Sequence, residues 1–146
     1  MKKITIITPT YNRAKTLPKV FESLLKQSFK DFIWIVLDDG STDNTTEVVE
    51  NFQLFNPFFE IIYKKDKNRH KFLTVLEGVK MVKTPYFMVV DSDDIYPEDA
   101  LETLISEVEK IENQDHYVAV MGLSADENGK IVGNQYPNNG FDGSIF

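Results

Sequence analysis

The stretch Tyr86-Phe87-Met88-Val89-Val90-Asp91-Ser92-Asp93-Asp94 reads as a buried β-strand that runs straight into acid. Five successive apolar residues leave no face for water, as expected of a strand in a parallel sheet covered on both sides. Working outward, the same form recurs at Ile4 to Thr8, Phe32 to Leu37, Phe58 to Tyr63 and Tyr117 to Gly122. Between these runs the apolar residues return at helical spacing: Leu17, Val20, Phe21 and Leu24; Thr45, Val48, Val49 and Phe52; Phe72, Val75, Leu76 and Val79; Leu101, Leu104, Ile105 and Val108. These are four amphipathic helices. Thr16 with Pro18, the Ser41 to Asn44 cluster and Tyr96-Pro97 supply start signals for three of them. The order βαβαβαβαβ predicts an α/β fold, a mostly parallel sheet flanked by helices.

After Gly122, Asp126-Glu127-Asn128-Gly129-Lys130 lies between short apolar pieces and predicts a C-terminal β-hairpin, followed by a loosely ordered end from Tyr136 to Phe146. We read one domain over 1–146, with an α/β core at 1–122 and the hairpin and loose end at 123–146. The 146 residues are 42% hydrophobic and 27% charged, which suits a single globular unit. The absence of cysteine excludes a disulfide scaffold, a thiolate zinc site and a Cys nucleophile. No apolar run approaches the roughly 20 residues that cross a bilayer, and the stretch between Lys3 and Pro9 is too short for a signal peptide, so a cytoplasmic location is expected. A net charge of −7 argues against nonspecific nucleic-acid binding. The charge is uneven, however: Lys64 to Lys71 holds five basic residues and one Asp, whereas Asp91 to Asp115 holds ten acids and one Lys. An anionic ligand fits between them.

Ligands of an open parallel sheet collect outside the carboxyl ends of its strands. Those ends carry Thr8 to Arg13, Asp38 to Asp43, the basic run and Asp91 to Asp94. Carboxylates at the end of a buried strand are costly unless a cation neutralises them, and one or two carboxylates beside phosphate and water describe the usual site of Mg²⁺ or Mn²⁺. The alternative is that these Asp residues cap the helix after Pro97 and face water. For Asp38-Asp39-Gly40-Ser41, a strand-to-helix turn accounts for Gly40 and Ser41 but less well for two acids, one of which can accept a hydrogen bond from a base or ribose. Tyr11 either stacks on a flat ring or fills core. Lys64, Lys65, Lys67, Arg69 and Lys71 can neutralise a diphosphate, although a solvated face suits most of them. Neither His70 nor His116 has a partner at metal-ligand spacing. Gly78 inside the third helix points to close packing on the sheet.

Taken together, Ile4 to Arg13, Leu24-Leu25-Lys26-Gln27-Ser28-Phe29-Lys30-Asp31-Phe32, Val36-Leu37-Asp38-Asp39-Gly40-Ser41-Thr42-Asp43 and Val89-Val90-Asp91-Ser92-Asp93-Asp94 resemble the nucleotide-binding half of the family 2 inverting glycosyltransferases. The resemblance spans residues 4 to about 100. It implies the GT-A fold, a nucleotide-diphosphate-sugar donor with uracil as the expected base, Mg²⁺ or Mn²⁺, and a saccharide, lipid-linked or protein acceptor, in cell-surface polysaccharide synthesis at or near the inner face of the membrane. By position it implies that Tyr11 stacks on the base beside Pro9, Asp39 binds the base edge, Asp91 and Ser92 lie near the ribose, and Asp93 is the metal ligand. Asp94 is then a neighbouring support or a helix cap.

Two departures stand out. The lead-in to the third helix and the helix itself read Asn68-Arg69-His70-Lys71-Phe72-Leu73-Thr74-Val75-Leu76-Glu77-Gly78 where the family commonly carries further Asn and Gly. The family's general base lies in an acceptor-binding half well beyond the Asp-x-Asp motif, and neither Asp126, Glu127 nor Asp142 sits in a matching motif. The expectation is a chain truncated before that half, binding donor without transferring sugar and self-associating through uncovered apolar surface. A sugar-nucleotide nucleotidyltransferase would need a Gly-rich loop after the first strand, which Thr8 to Arg13 lacks. A receiver domain would need an Asp where Tyr63-Lys64 stands and a Lys where Gly122-Leu123 stands. A non-catalytic nucleotide-binding remnant is the remaining alternative.

Overall fold

A computed structural model describes residues 2–111, 119–122, 124–126 and 128–132. The elements follow as β1 (Ile4–Thr10), α1 (Leu17–Lys26), β2 (Phe32–Asp38), α2 (Thr45–Phe55), β3 (Glu60–Lys65), α3 (Lys71–Met81), β4 (Tyr86–Val89) and α4 (Ala100–Ile111). All pairings are parallel, in the order β3-β2-β1-β4. Packing divides the chain into two compact units, Met1–Glu102 and Thr103–Phe146.

β1 is buried along its whole length, which its unbroken apolar and Thr composition demands of a strand with neighbours on both edges. The pleat divides the side chains of the sheet into two sets. One set, Ile7 with Ile35 and Leu37, packs with Ile33, Ile62, Val79, Met81 and Val82. The other carries an aromatic cluster in which the Phe21 and Phe52 rings stack 4.2 Å apart, Phe21 stacks on Trp34 and Phe59 lies against Phe32. Trp34 is fully buried, and its indole N–H donates to Thr8 Oγ1 at 2.9 Å. That bond spares the core an unpaired donor.

Besides β4, which lies at the edge of the sheet with Phe87 and Val89 exposed rather than covered on both faces, three expectations are corrected. β3 starts at Glu60 rather than Phe58, because Pro57 lies in a turn closed by Asn56 Nδ2 donating to the Phe59 carbonyl and Phe58 N–H donating to Asn56 Oδ1. The predicted fifth strand at Tyr117 to Gly122 is not formed in its described part, 119–122, and Tyr117 and Val118 lie outside the described residues. Third, the buried face of α3 is not the apolar stripe that includes Phe72 and Leu76. Thr74 and Gly78 are buried, whereas Phe72 is 78% exposed and Leu73 and Leu76 are also exposed.

The reason for that rotation is Gly78. A Cβ there would lie 2.7 Å from both Ile7 Cγ2 and Leu37 Cδ1, so the helix backbone rests directly on β1 and β2. The predicted hairpin is present as a turn: Ala125 and Ile131 form an antiparallel bridge, with Gly129 at φ +78° and its N–H donating to the Asp126 carbonyl. Tyr136 to Phe146 lie outside the described residues.

Gly78→Ala follows as a test of the α3 contact. The gain in helix propensity is about 1 kcal/mol, but forcing a methyl into a filled core typically costs about 1–3 kcal/mol. We expect a net loss of stability in urea unfolding with the slope unchanged. A variant as stable as the parent would show that α3 is free to move away from the sheet.

Candidate functional site

Register fixes the site. Thr10 pairs with Asp38 and Ile7 with Val89, so the residues that follow β1, β2 and β4 emerge side by side at one edge of the sheet. There, Pro9, Thr10, Tyr11, Arg13, Asp39, Asn68, His70, Lys71, Asp91, Ser92 and Asp93 line an open cleft of about 410 Å³. All six residues singled out from the sequence, Pro9, Tyr11, Asp39, Asp91, Ser92 and Asp93, therefore share one cavity.

The two consecutive acids have separate jobs because the pleat sends them to opposite faces. Asp38 is buried; its Oδ1 accepts from Ser41 N–H at 2.7 Å and its Oδ2 from Tyr63 O–H at 2.6 Å. Burial, and then Asp38 itself, pushes the Tyr63 phenol well above its usual range, so Tyr63 stays a proton donor. Asp39 turns toward α3: its Oδ1 accepts from Arg69 N–H at 2.8 Å and from Thr74 Oγ1 at 2.9 Å, while its own N–H donates to the Thr10 carbonyl. One oxygen of Asp39 is thus fixed by the fold, and the residue still forms part of the cleft wall.

Gly40, at φ +86°, is required here twice over. The left-handed backbone favours glycine, and a Cβ would come within 2.9 Å of Asn68 N. This close approach brings the loop between β3 and α3 against the end of β2, and with it Asn68, His70 and Lys71. Of the basic run, only His70 and Lys71 join the cleft lining. The run's predicted solvated character holds for Lys64, Lys65 and Lys67, which are exposed.

Opposite charges face each other across the cavity. Lys71 Nζ lies 2.7 Å from Asp91, and Arg13 lies 3.5 Å from Asp93. Both pairs are largely solvated, so they orient side chains more than they stabilise the fold. Ser92 is buried. Partial burial of its carboxyl, followed by the charges of Asp91 and Asp93, raises the Asp94 pKa above its ordinary value. Asn68, Arg13 and Thr10 received no role from the sequence; only their position after a strand marked them. Among the described residues no cluster of three His, Asp or Glu side chains could enclose a metal ion, and no helix is long and apolar enough to cross a membrane.

The sequence model described as Glycosyl transferase family 2 matches residues 5–142. The chain belongs to this family. Among its relatives, glycosyltransferase GlyG of Streptococcus pneumoniae serotype 4 is 33% identical over 107 residues, covering 73% of this chain and 35% of GlyG. The poly(ribitol-phosphate) beta-N-acetylglucosaminyltransferase TarP of Staphylococcus aureus is 32% identical over 127 residues, 84% of this chain and 38% of TarP. A crystal structure of S. aureus TarS 1–349 in complex with UDP-GlcNAc superposes with a TM-score of 0.67 at 27% identity, covering 75% of this chain and 32% of that one. The family 2 chain therefore spans little more than a third of the length of these relatives, and its sheet is that of their GT-A fold.

The crowding at Asp94 generates a stability test. Its folded-state pKa is raised above the value it has free, 3.8, so folding disfavours the ionised carboxyl. The cost is present above the folded pKa and absent below the unfolded one. Asp94→Asn should therefore raise the thermal midpoint at pH 7, and the advantage should vanish as pH falls below about 3.8. Equal midpoints at pH 7 would show that Asp94 carries no such cost.

Proposed function

We propose that this chain is the donor-binding part of an inverting, metal-assisted glycosyltransferase that takes a UDP-sugar and passes the sugar to an acceptor hydroxyl on a saccharide, a lipid-linked intermediate or a protein. The observation that carries this reading is the convergence of Tyr11, Asp39, Asp91, Ser92 and Asp93 from three strand ends onto one cleft. The UDP-GlcNAc carried by TarS, whose fold the chain shares, supports uridine as the nucleoside.

In this reading Tyr11, nearly half exposed at the rim, stacks on the base, with Pro9 beside it. The oxygen of Asp39 not held by Arg69 and Thr74 accepts from the base N–H, and Asp91 and Ser92 take the ribose. Lys71 and Arg13 are cations within the same cavity and offset phosphate charge. Asp93 is half-exposed, a hard oxygen donor on an open wall, and fits Mg²⁺ or Mn²⁺ held by one carboxylate with phosphate oxygens and water completing the shell. When bound, the ion supplies positive charge where the departing nucleotide diphosphate accumulates negative charge. The residues of this chain bind and orient the donor; deprotonation of the acceptor is assigned to a base outside it. Asp126 instead has a structural task, its Oδ1 accepting from Asn128 and Lys130 N–H within the hairpin turn.

Two variants test the reading by calorimetry. Asp93→Ala should abolish the metal dependence of UDP binding with the thermal midpoint preserved, because the side chain is not part of the core. Unchanged metal dependence would remove Asp93 from its role. Asp39→Asn keeps an acceptor oxygen for Arg69 and Thr74 but presents an amide to the base. It should weaken UDP by about 1.5–3 kcal/mol, the worth of a hydrogen bond to a charged group, and relax selectivity among nucleoside diphosphates. Equal losses for every nucleotide would make Asp39 purely structural.

A further inference from the structure

Asn12 does not line the cleft, yet no other residue of the rim makes as many bonds between its loops. Its Oδ1 accepts from Thr42 N–H at 2.7 Å, Asp43 N–H at 3.2 Å and Thr42 Oγ1 at 3.3 Å. Its own backbone N–H donates to Ser41 Oγ at 2.8 Å. The next two amides continue the seam: Arg13 N–H donates to Thr45 Oγ1 and Ala14 N–H to Asp43 Oδ2. Thr45 Oγ1 in turn donates to Asp43 Oδ1, and that bond is the main reason the Asp43 carboxyl sits below its usual range. The loop after β1 and the loop after β2 are therefore stitched together over residues 12–14 and 41–45.

Asn12 reaches this position through a left-handed backbone, φ +53°. Asn is among the few residues other than Gly that adopt it readily. The conformation turns the chain sharply between Tyr11, on the cleft rim, and Arg13. On the other side of the seam, Ser41 N–H is bonded to Asp38, and Asp39 is next to it in sequence. Tyr11 and Asp39 lie in two different loops, and the covalent chain between them runs through all of α1 and β2. What fixes their separation locally is the β1–β2 ladder below and the Asn12 seam above.

We propose that Asn12 is a positioning residue for the donor base: its carboxamide locks the two loops so that the ring of Tyr11 and the free oxygen of Asp39 are held at the spacing of one pyrimidine. The proposal rests on the base-binding reading of Tyr11 and Asp39. The diphosphate is left to Lys71, Arg13 and Asp93, of which only Arg13 adjoins the seam, through its backbone N–H on Thr45, so the signature is a loss that falls mainly on the nucleoside.

The experiment is calorimetric titration of the 146-residue chain with UDP and, separately, with inorganic pyrophosphate, both with Mn²⁺. Asn12→Gly keeps the left-handed backbone and removes the acceptor; it should weaken UDP about tenfold, the effect of about one net hydrogen bond, and weaken pyrophosphate clearly less. Asn12→Asp retains an acceptor oxygen and should bind UDP within about twofold of the parent. Ser41→Ala loosens the seam from the opposite loop with no change at the strained position, and should give a smaller loss in the same direction. Circular dichroism melting confirms that each variant is folded. UDP binding by Asn12→Gly at the parent's affinity, or a loss shared equally by UDP and pyrophosphate in the two folded variants Asn12→Gly and Ser41→Ala, would overturn the assignment. Failure of the parent chain to bind UDP at all would instead overturn the donor reading beneath it.

Discussion

The hydrogen-bonded register of β1 between β2 and β4 is the constraint on which the site depends. In a parallel ladder the bonds are evenly spaced, so once Ile4 faces Phe32 and Tyr86 every later residue is placed as well. Tyr11 to Arg13 then leave the sheet beside the residues that follow Asp38 on one side and those that follow Val89 on the other. A slip of one residue would turn Asp39 toward the aromatic cluster and Asp38 toward α3, exchanging a structural carboxylate for a cleft carboxylate. The burial of β1, the Trp34 bond to Thr8 and the seating of Gly78 all hold that register.

Above the ladder, the polar groups are shared between support and exposure. Asp38 supports, holding Ser41 and Tyr63. Asp39, buried at the cleft wall, has one oxygen on Arg69 and Thr74. The close approach of Gly40 to Asn68 draws the loop after β3 into the same wall, so the cleft is assembled from all four strand ends although the leading carboxylates come from two.

Much of this was legible in the residues. Continuous apolar runs marked the four strands, with a fifth that is not formed in its described part, and the helical spacing the four helices; the rule that ligands gather beyond strand ends picked the loops, and the family resemblance picked within them the six residues that the fold brings to one cavity. Periodicity failed at α3 because it weighs hydrophobicity, whereas the contact is set by shape: Gly78 permits the nearest approach, and Thr74 follows it inward to meet Asp39. The start of β3 was misplaced because Phe58 and Phe59 read as strand, and only the side-chain bonds of Asn56 reveal the turn. The division of labour between Asp38 and Asp39 was out of reach for a similar reason, since it depends on which face of the sheet each helix covers. Asn68 and Asn12 act through backbone approaches and loop-to-loop bonds, for which a single sequence carries no periodic mark.

The pairing of Ile4 with Tyr86 has a consequence for the newly made chain. β1 and β2 meet across a short connection, but the other edge of β1 waits for a strand some eighty residues further on. As the polypeptide leaves the ribosome, the strand that ends up buried along its whole length is therefore open on one side until β4 emerges. Long-range parallel pairing of this kind forms slowly, and an unpaired apolar edge templates association between chains. The same late strand delivers Asp91 to Asp93, so the nascent fold closes its vulnerable edge and completes its cleft in a single event.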